Sequence, residues 1–374
     1  MVNKKIKVLQ VVHGLAPGGI EAFLLNIIEN IDRDKIEISF AVAAMGKQFH
    51  EERVTALGIR VYHTSDLNGI KNIIIHFLKL VKLIKLEGEF DVVHSHIDFF
   101  NGINLLAAFI AGVPNRISHS HNTNSAHAKN VGATISIRMY RKVMRSLINI
   151  LSTKNLGCSS EANIYMYGKK NTNKNGNNVI FNGINLEKFS KINEEIKDFK
   201  IDESKINFIT IGRMCEQKNS LFIVKIVNEL SKVQNNIHLF WIGKGPQEGE
   251  IKKMIEEYGI EDKITLLGNR TDVNCILNKM NFMLFPSKWE GLPVTLVEAQ
   301  ASKVPCFISN KITDEVNIGL CTALSIEENE KIWANNIFKY IKNKNYNKKI
   351  DSKILDKFDI KNVCRIIENI YLKV

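Results

Sequence analysis

The chain has 374 residues, 45% of them hydrophobic, which is enough for two ordinary domains with sizeable cores and sets aside a disordered polymer. Its net charge is +12, and it is uneven: residues 1–182 hold 22 Lys+Arg against 13 Asp+Glu, and the remainder holds 29 against 26. The six cysteines, at 158, 215, 275, 306, 321 and 364, form neither a CxxC pair nor a disulfide framework, and read as reduced cytosolic thiols.

The chain opens with MVNKKIKVLQVVHG, a short apolar run around Gln10 that leads into a Gly-rich turn. It reads as a first strand, not a signal peptide. No apolar run approaches the roughly 18 residues of a membrane span. From there the pattern is strand, loop, helix, repeated. Strands are expected near 6–12, 36–43, 59–63, 91–95, 116–120 and 153–158, with helices near 20–30, 70–86, 101–111 and 132–149. The strands are continuous apolar runs, as parallel strands covered on both faces require. This predicts a doubly wound α/β domain.

The polar run KKNTNKNGNN, residues 169–178, precedes a short strand at 179–181 and then Asn182-Gly183-Ile184-Asn185. The junction is placed there, giving an N-terminal domain over 1–182 and a C-terminal domain over 183–357. The second series has strands near 206–211, 237–242, 263–267, 282–285 and 304–308, and helices near 219–233, 246–257, 271–279 and 293–302; the tail, 328–374, reads as helices. The fold class expected is α/β, with two doubly wound, Rossmann-like domains facing a cleft. Ligands of open α/β sheets bind beyond the carboxyl ends of the strands.

The unusual residues fall at those ends. Gly18 and Gly19 follow the first strand and open a helix, where backbone can come close to a ligand. His94-Ser95-His96 and His119-Ser120-His121-Asn122 follow the fourth and fifth strands. Histidines two apart share a strand face and mimic a metal site, but only Asp98 is near to complete a ligand set, so no metal is expected. Arg213 and Lys218 flank a loop in Gly212-Arg213-Met214-Cys215-Glu216-Gln217-Lys218, a planar donor fork and a point charge suited to a diphosphate. Gly243-Lys244-Gly245-Pro246 and Gly268-Asn269-Arg270 follow the next two strands. Asp32-Arg33-Asp34 lies at the opposite end, before the second strand, and reads as a polar turn.

The most informative stretch is Phe285 to Gln300, FPSKWEGLPVTLVEAQ: a strand end, a turn and a helix with Pro293 in its first turn. Glu290 lies in the loop and Glu298 about 1.5 turns into the helix. Free amides at Gly291 and Leu292 lie between the two carboxylates. Such a place suits a ligand that is hydroxyl-rich beside a phosphate-rich part, as a nucleotide-sugar is.

This stretch resembles the E-x7-E signature of retaining GT-B glycosyltransferases of family 4, the group 1 transferases. Gly212 to Lys218 resembles the family's G-R-x-x-x-x-K segment, and RISHSHN with PSKWEGLPVTLVEAQ places the chain nearest the bacterial capsular and exopolysaccharide branch. The resemblance implies a sugar moved with retention from a nucleotide-diphosphate sugar, most readily a UDP-sugar, to a lipid-linked or growing saccharide, without metal or other cofactor. It implies roles: Arg213 and Lys218 on the diphosphate, Glu298 on ribose, Glu290 with the Gly291 and Leu292 amides and Pro293 on the sugar, Arg270 on base or ribose, and Gly18, Gly19 and His121 at the sugar and phosphate from the first domain. His121, Glu290, Arg213 and Lys218 are the catalytic candidates. The last helix, about 358–374, is expected to pack back on the first domain. Lys303 where the family has Gly, and Ser309 to Glu315 where it has G-G-x-x-E, depart from the pattern and leave the donor open. A nucleotide-sugar epimerase of the same fold, or a non-catalytic nucleotide-sugar-binding partner, remain as alternatives.

No acid occurs between Asp98 and Glu161, a span that holds Arg116, Lys129, Arg138, Arg141, Lys142, Arg145 and Lys154. Arg138, Arg141, Lys142 and Arg145 fall at i, i+3, i+4 and i+7 and form one helical stripe, with Tyr140, Val143, Met144, Leu147 and Ile148 expected to pack inward. The stripe suits the anionic surface of the inner face of the cell membrane, where a cytosolic enzyme meets a lipid-linked acceptor. Nucleic acid is set aside, since no recognition motif or aromatic platform accompanies the charge.

Overall fold

The structure, a computed structural model, describes residues 4–16, 18–88, 90–122, 135–171, 178–190, 196, 198–343 and 349–373. Pro17, Lys129, the expected helix start at residue 132 and residues 172–177 of the polar run lie outside them. The chain divides into two compact units, residues 1–184 with 357–374, and residues 185–356.

The N-terminal unit holds strands β1 (Ile6–Val12), β2 (Ile36–Val42), β3 (Arg60–His63), β4 (Val92–Ser95), β5 (Asn115–Ser120), β6 (Lys154–Gly157) and β7 (Asn178–Val179). They form one sheet in the order 3-2-1-4-5-6-7, and every pairing is parallel. Its helices are α1 (Gly19–Asn30), α2 (Glu51–Ala56), α3 (Ile70–Glu87), α4 (Asn101–Ile110), α5 (Ile135–Leu151) and α6 (Ser160–Tyr167). Successive residues of β1 serve opposite cores, as the pleat dictates. Val8 and Val12 pack with Phe23, Leu24 and Ile27 of α1, while Leu9 and Val11 pack with Leu80 and Ile84 of α3 and Ala107 and Ala108 of α4. That double burial is why the strand has no polar alternation. The short helices α2 and α6 were not anticipated; α6 depends on its cap, Ser159, whose side chain accepts from the Ala162 amide.

The C-terminal unit holds β8 (Ile206–Ile211), β9 (Ile237–Ile242), β10 (Ile264–Gly268), β11 (Phe282–Phe285), β12 (Cys306–Ser309) and β13 (Cys321–Leu324), all parallel, in the order 10-9-8-11-12-13. Its helices are α7 (Leu186–Ser190), α8 (Ser220–Val233), α9 (Glu248–Tyr258), α10 (Val273–Leu277), α11 (Val294–Ala301), α12 (Glu330–Lys342) and α13 (Ser352–Leu355). Phe208, Leu239, Trp241, Leu284 and Phe307 meet Ile223, Val227, Ile251 and Trp333 in one core. Strand β13 is an edge strand, only partly buried, and its mixed pattern hid it in the sequence. Pro293 is the N-cap of α11 in extended geometry, one residue before the first helical turn where it was expected.

The last helix, α14 (Ile360–Leu372), belongs to the N-terminal unit. Its buried face, Ile360, Val363, Cys364, Ile367 and Tyr371, joins the core around α1. A Cβ on Gly183 would come within 3.0 Å of the Ile360 backbone, so the close pass of α14 accounts for the glycine in Asn182-Gly183-Ile184.

Gln300, fully buried at the end of α11, ties down the loop between β12 and β13. Its Oε1 accepts from the Ile318 and Leu320 amides at 2.8 and 3.3 Å, and its Nε2 donates to the Leu296 and Val316 carbonyls at 3.0 and 2.9 Å. Gln300→Leu strands those buried amides. It is expected to lower stability by roughly 2–6 kcal/mol, from about 1–3 for each of the two orphaned amides, as read by urea unfolding.

Candidate functional site

In each unit the strand order reverses beside the first strand, between β8 and β11 in the C-terminal unit, and crevices for ligands form at such switch points. There the loop after β8 is stapled to the loop after β11. The Lys288 amide donates to the Gln217 carbonyl at 2.8 Å, Gln217 Nε2 to the Trp289 carbonyl at 3.2 Å, and Asn219 Nδ2 to the Pro286 carbonyl at 3.2 Å. Lys218 Nζ meets Glu290 Oε1 at 2.6 Å and lies 4.7 Å from the centroid of the Phe285 ring. The pair is mostly buried, with side-chain exposures of 19% and 9%. Sequence reading assigned Lys218 and Glu290 separate contacts; folding brings them together. Arg213 lines the same small depression, exposed, and its side chain has no partner among the described residues. Ser287, which sequence reading missed, presents to the same place a buried hydroxyl with no partner among the described residues.

Glu298 sits one turn inside α11, partly exposed. Its carboxylate has no ion pair or hydrogen-bond partner among the described residues, and burial pushes it up to about 7. The Gly291 and Leu292 amides ahead of α11 are likewise untaken by any acceptor among the described residues. The glycines after β8 and β9 serve the protein itself: at Gly243, with φ +127°, a Cβ would fall 2.1 Å from the Gly212 carbonyl oxygen. Arg270, expected at a base or ribose, is engaged by the protein's own carboxylates. Its guanidinium forms a fork on Asp272 at 2.8 and 2.6 Å, reaches Asp198 at 2.9 Å and lies 5.5 Å from the Phe199 ring centroid. With 16% of its side chain exposed, it braces the loop.

In the N-terminal unit, Gly18 is the N-cap of α1 with φ −167°, a conformation open to any residue, and a Cβ on Gly19 would meet nothing within 4 Å. The fold does not demand glycine at Gly19, where the space for a side chain is open. His94, His96, His119 and His121 are all buried, in contact with one another at ring-centroid separations of 4.2–5.4 Å. Burial holds all four imidazoles neutral, His121 down to about 3. His94, His96 and His119 each offer a nitrogen within 4.8 Å of the others, but both His96 nitrogens are already hydrogen bonded, so a metal would have to displace a partner. Asp32-Arg33-Asp34 is a turn before β2, with the Asp34 amide on Asp32 Oδ1 at 3.0 Å.

Two family models cover the chain almost end to end. Residues 17–188 match Glycosyltransferase Family 4, and residues 191–354 match Glycosyl transferases group 1. The capsular polysaccharide biosynthesis glycosyltransferase CapH of Staphylococcus aureus is 32% identical over 98% of this chain and 99% of its own length. The chain belongs to the group 1 glycosyltransferases of family 4. An Escherichia coli UDP-Gal:α-D-GlcNAc-diphosphoundecaprenol α-1,3-galactosyltransferase is 25% identical over 82% of the chain and 80% of its own. The crystal structure of Anabaena HepE in complex with UDP-glucose superposes with a TM-score of 0.78 at 17% identity, over 98% of this chain and 100% of that one, and shares the fold of two Rossmann-like domains, GT-B.

The basic helix of this transferase, α5, differs from its expected form. Arg145 donates to the Met166 and Tyr165 carbonyls at 3.1 and 2.8 Å, closing the end of α6, and Arg141 and Arg145 lie 5.9 and 5.5 Å from the Phe99 ring centroid. Arg138 and Lys142 remain exposed. Met144 and Ile148 face inward as expected, but Tyr140 and Val143 are 40% and 47% exposed, beside exposed Ile135 and Met139. Among the described residues no helix is long and apolar enough to cross a membrane.

The histidine cluster makes the transferase acid-sensitive. Each of the four takes up a proton on unfolding below its unfolded value of about 6.5, so the unfolded chain binds more protons and stability falls as pH falls, by about 1.4 kcal/mol per pH unit per histidine. Three carboxyls raised by burial act with the opposite sign, Glu298 in the other unit and Glu21 and Asp98 in this one, against the four histidines and a fifth, His76, that burial also lowers. Urea unfolding at pH 7.5, 6.0 and 5.0 should show the N-terminal unit losing stability first. His119→Phe, which removes no hydrogen bond among the described residues, should reduce that slope by one proton.

Proposed function

We propose that this glycosyltransferase moves a hexose, with retention, from a UDP-sugar to a lipid-linked or growing saccharide in bacterial surface polysaccharide synthesis. The observation that carries the reading is the grouping of Arg213, Lys218, Glu290 and Ser287 at the switch point of the C-terminal sheet. When the bond from the sugar's anomeric carbon to the diphosphate breaks, its electron pair stays on the diphosphate oxygen. Arg213 and Lys218 are the cations positioned to meet that growing charge, and such contacts strengthen as the charge develops. They take the part a divalent metal plays elsewhere, so the reading needs no metal or other cofactor. Glu290, held by Lys218, and the Gly291 and Leu292 amides serve sugar hydroxyls. Glu298 accepts from ribose hydroxyls, which gives its unpartnered carboxylate the donors it lacks. His121 and Gly19 serve the sugar from the N-terminal unit. The HepE complex with UDP-glucose supports a UDP-sugar, the E. coli galactosyltransferase a UDP-sugar and a diphosphoundecaprenol-linked acceptor, and CapH a capsular product.

Purified protein with EDTA and a panel of UDP-, GDP- and ADP-sugars should release UDP slowly from one of them. Release only of another nucleotide would overturn the UDP assignment, and conversion of the sugar to an epimer without acceptor would favour the epimerase reading. Arg213→Ala should cost about 100-fold or more in turnover, by analogy with losing one oxyanion donor, with no change in melting temperature because the side chain is exposed and unpartnered. Lys218→Ala should match it in turnover while also lowering stability, since it strands Glu290.

In the same reading the transferase meets anionic lipid at the cytoplasmic face of the cell membrane through α5. Arg138 and Lys142 supply charge, about 1 kcal/mol each, and Ile135, Met139 and Val143 supply apolar contact. Arg138→Glu with Lys142→Glu should lower co-sedimentation with anionic vesicles by about 10-fold or more while sparing transfer to a soluble acceptor. Unchanged co-sedimentation would remove the membrane role.

A further inference from the structure

We infer that Gln10 and Tyr371 are positioning residues that fix the tautomer of His121, through a directed hydrogen-bond chain across the buried histidines, so that His121 offers a bare Nδ1. The inference rests on the reading of His121 as a sugar contact, and carries it a step further.

The chain runs through four contacts between buried side chains. His121 Nε2 lies 2.9 Å from His96 Nδ1, His96 Nε2 lies 2.8 Å from Gln10 Oε1, Gln10 Nε2 donates to Tyr371 Oη at 2.9 Å, and Tyr371 Oη lies 2.6 Å from His94 Nδ1. Its members come from β1, the ends of β4 and β5, and α14, and none is more than 8% exposed. A carboxamide oxygen only accepts, so the proton between His96 and Gln10 sits on His96 Nε2. A neutral imidazole carries one proton, so His96 Nδ1 is an acceptor and His121 Nε2 must donate to it. On the far side, the Gln10 amide donates to the tyrosine oxygen, and the tyrosine O–H donates to His94 Nδ1. His94 therefore also carries its proton on Nε2. One amide, facing two ways, sets three imidazoles.

The result at the front of the chain is chemical. His121 Nδ1 is left a lone pair facing the Asn182 side chain, and neither it nor Asn182 Oδ1 makes a well-formed hydrogen bond among the described residues. Two adjacent acceptors call for a ligand that brings donors, and sugar hydroxyls are donors. Reversing the Gln10 amide would reverse every bond in the chain and turn His121 into a donor at Nδ1, which Asn182 Oδ1 would then accept, leaving neither atom for a ligand.

The test reads tautomers directly. Long-range proton–nitrogen correlation spectra of the full chain, labelled with ¹⁵N-histidine at neutral pH, should show His94, His96 and His121 each as a single Nε2–H tautomer. All three as Nδ1–H would overturn the inference, and this measurement needs no variant. Gln10→Leu removes the acceptor for His96 and should turn His96 and His121 into mixtures of both tautomers. Gln10→Glu, which still accepts, should keep both as Nε2–H. Single Nε2–H tautomers in Gln10→Leu would also overturn it. UDP release should fall in Gln10→Leu in step with the lost His121 tautomer and return in Gln10→Glu. Turnover unchanged despite a changed tautomer would leave the chain standing and remove the sugar-contact reading of His121.

Discussion

Parallel pairing is the constraint on which the rest depends. A strand that must be followed by a parallel neighbour needs a crossover helix, so each loop that follows a strand emerges at the same edge of the sheet. Both units are built only of parallel pairs, and in both the order reverses next to the first strand. Residues far apart in the chain are thereby delivered to one place. Lys218 and Glu290 are neighbours because β8 and β11 pair, and His96 and His121 because β4 and β5 pair.

The two switch points solve the problem of buried polarity differently. In the C-terminal unit a charged pair, Lys218 with Glu290, closes two loops on each other beside the exposed guanidinium of Arg213. That arrangement suits a ligand that carries charge away. In the N-terminal unit the polar groups are neutral imidazoles, an amide and a phenol, and burial forbids them charge. A neutral network has no net field to organise a diphosphate. What it has is direction, since each member can donate only where its neighbour accepts.

Arginine shows how residue type underdetermines role. Arg213, Arg270, Arg141 and Arg145 all lie in loops or on faces where a ligand was expected. Arg213 stays unengaged among the described residues, whereas Arg270 is clasped by two aspartates and Arg145 closes a helix end. The motif around Arg213 separated it from the others; the helical spacing of Arg138, Arg141, Lys142 and Arg145 did not. Spacing puts side chains on one stripe, and it is the neighbouring helix and Phe99 that decide which of them turn inward.

The sequence by itself determined the fold class, the places of the long strands and helices, and the stretches from Gly212 to Lys218 and from Phe285 to Gln300. These are local properties: burial on both faces writes continuous apolar runs, and a loop that meets a ligand writes a motif of fixed spacing. It did not disclose α2, α6 or β13, whose few residues carry too little pattern to stand out. Nor did it disclose the Lys218–Glu290 pair, the bracing of Arg270, or the partnership of Gln10 and Tyr371, which are 361 residues apart. Those were decided by the tertiary structure alone, because a hydrogen bond depends on a few tenths of an ångström and on which atom faces which, and neither is written in the spacing of residues along a chain.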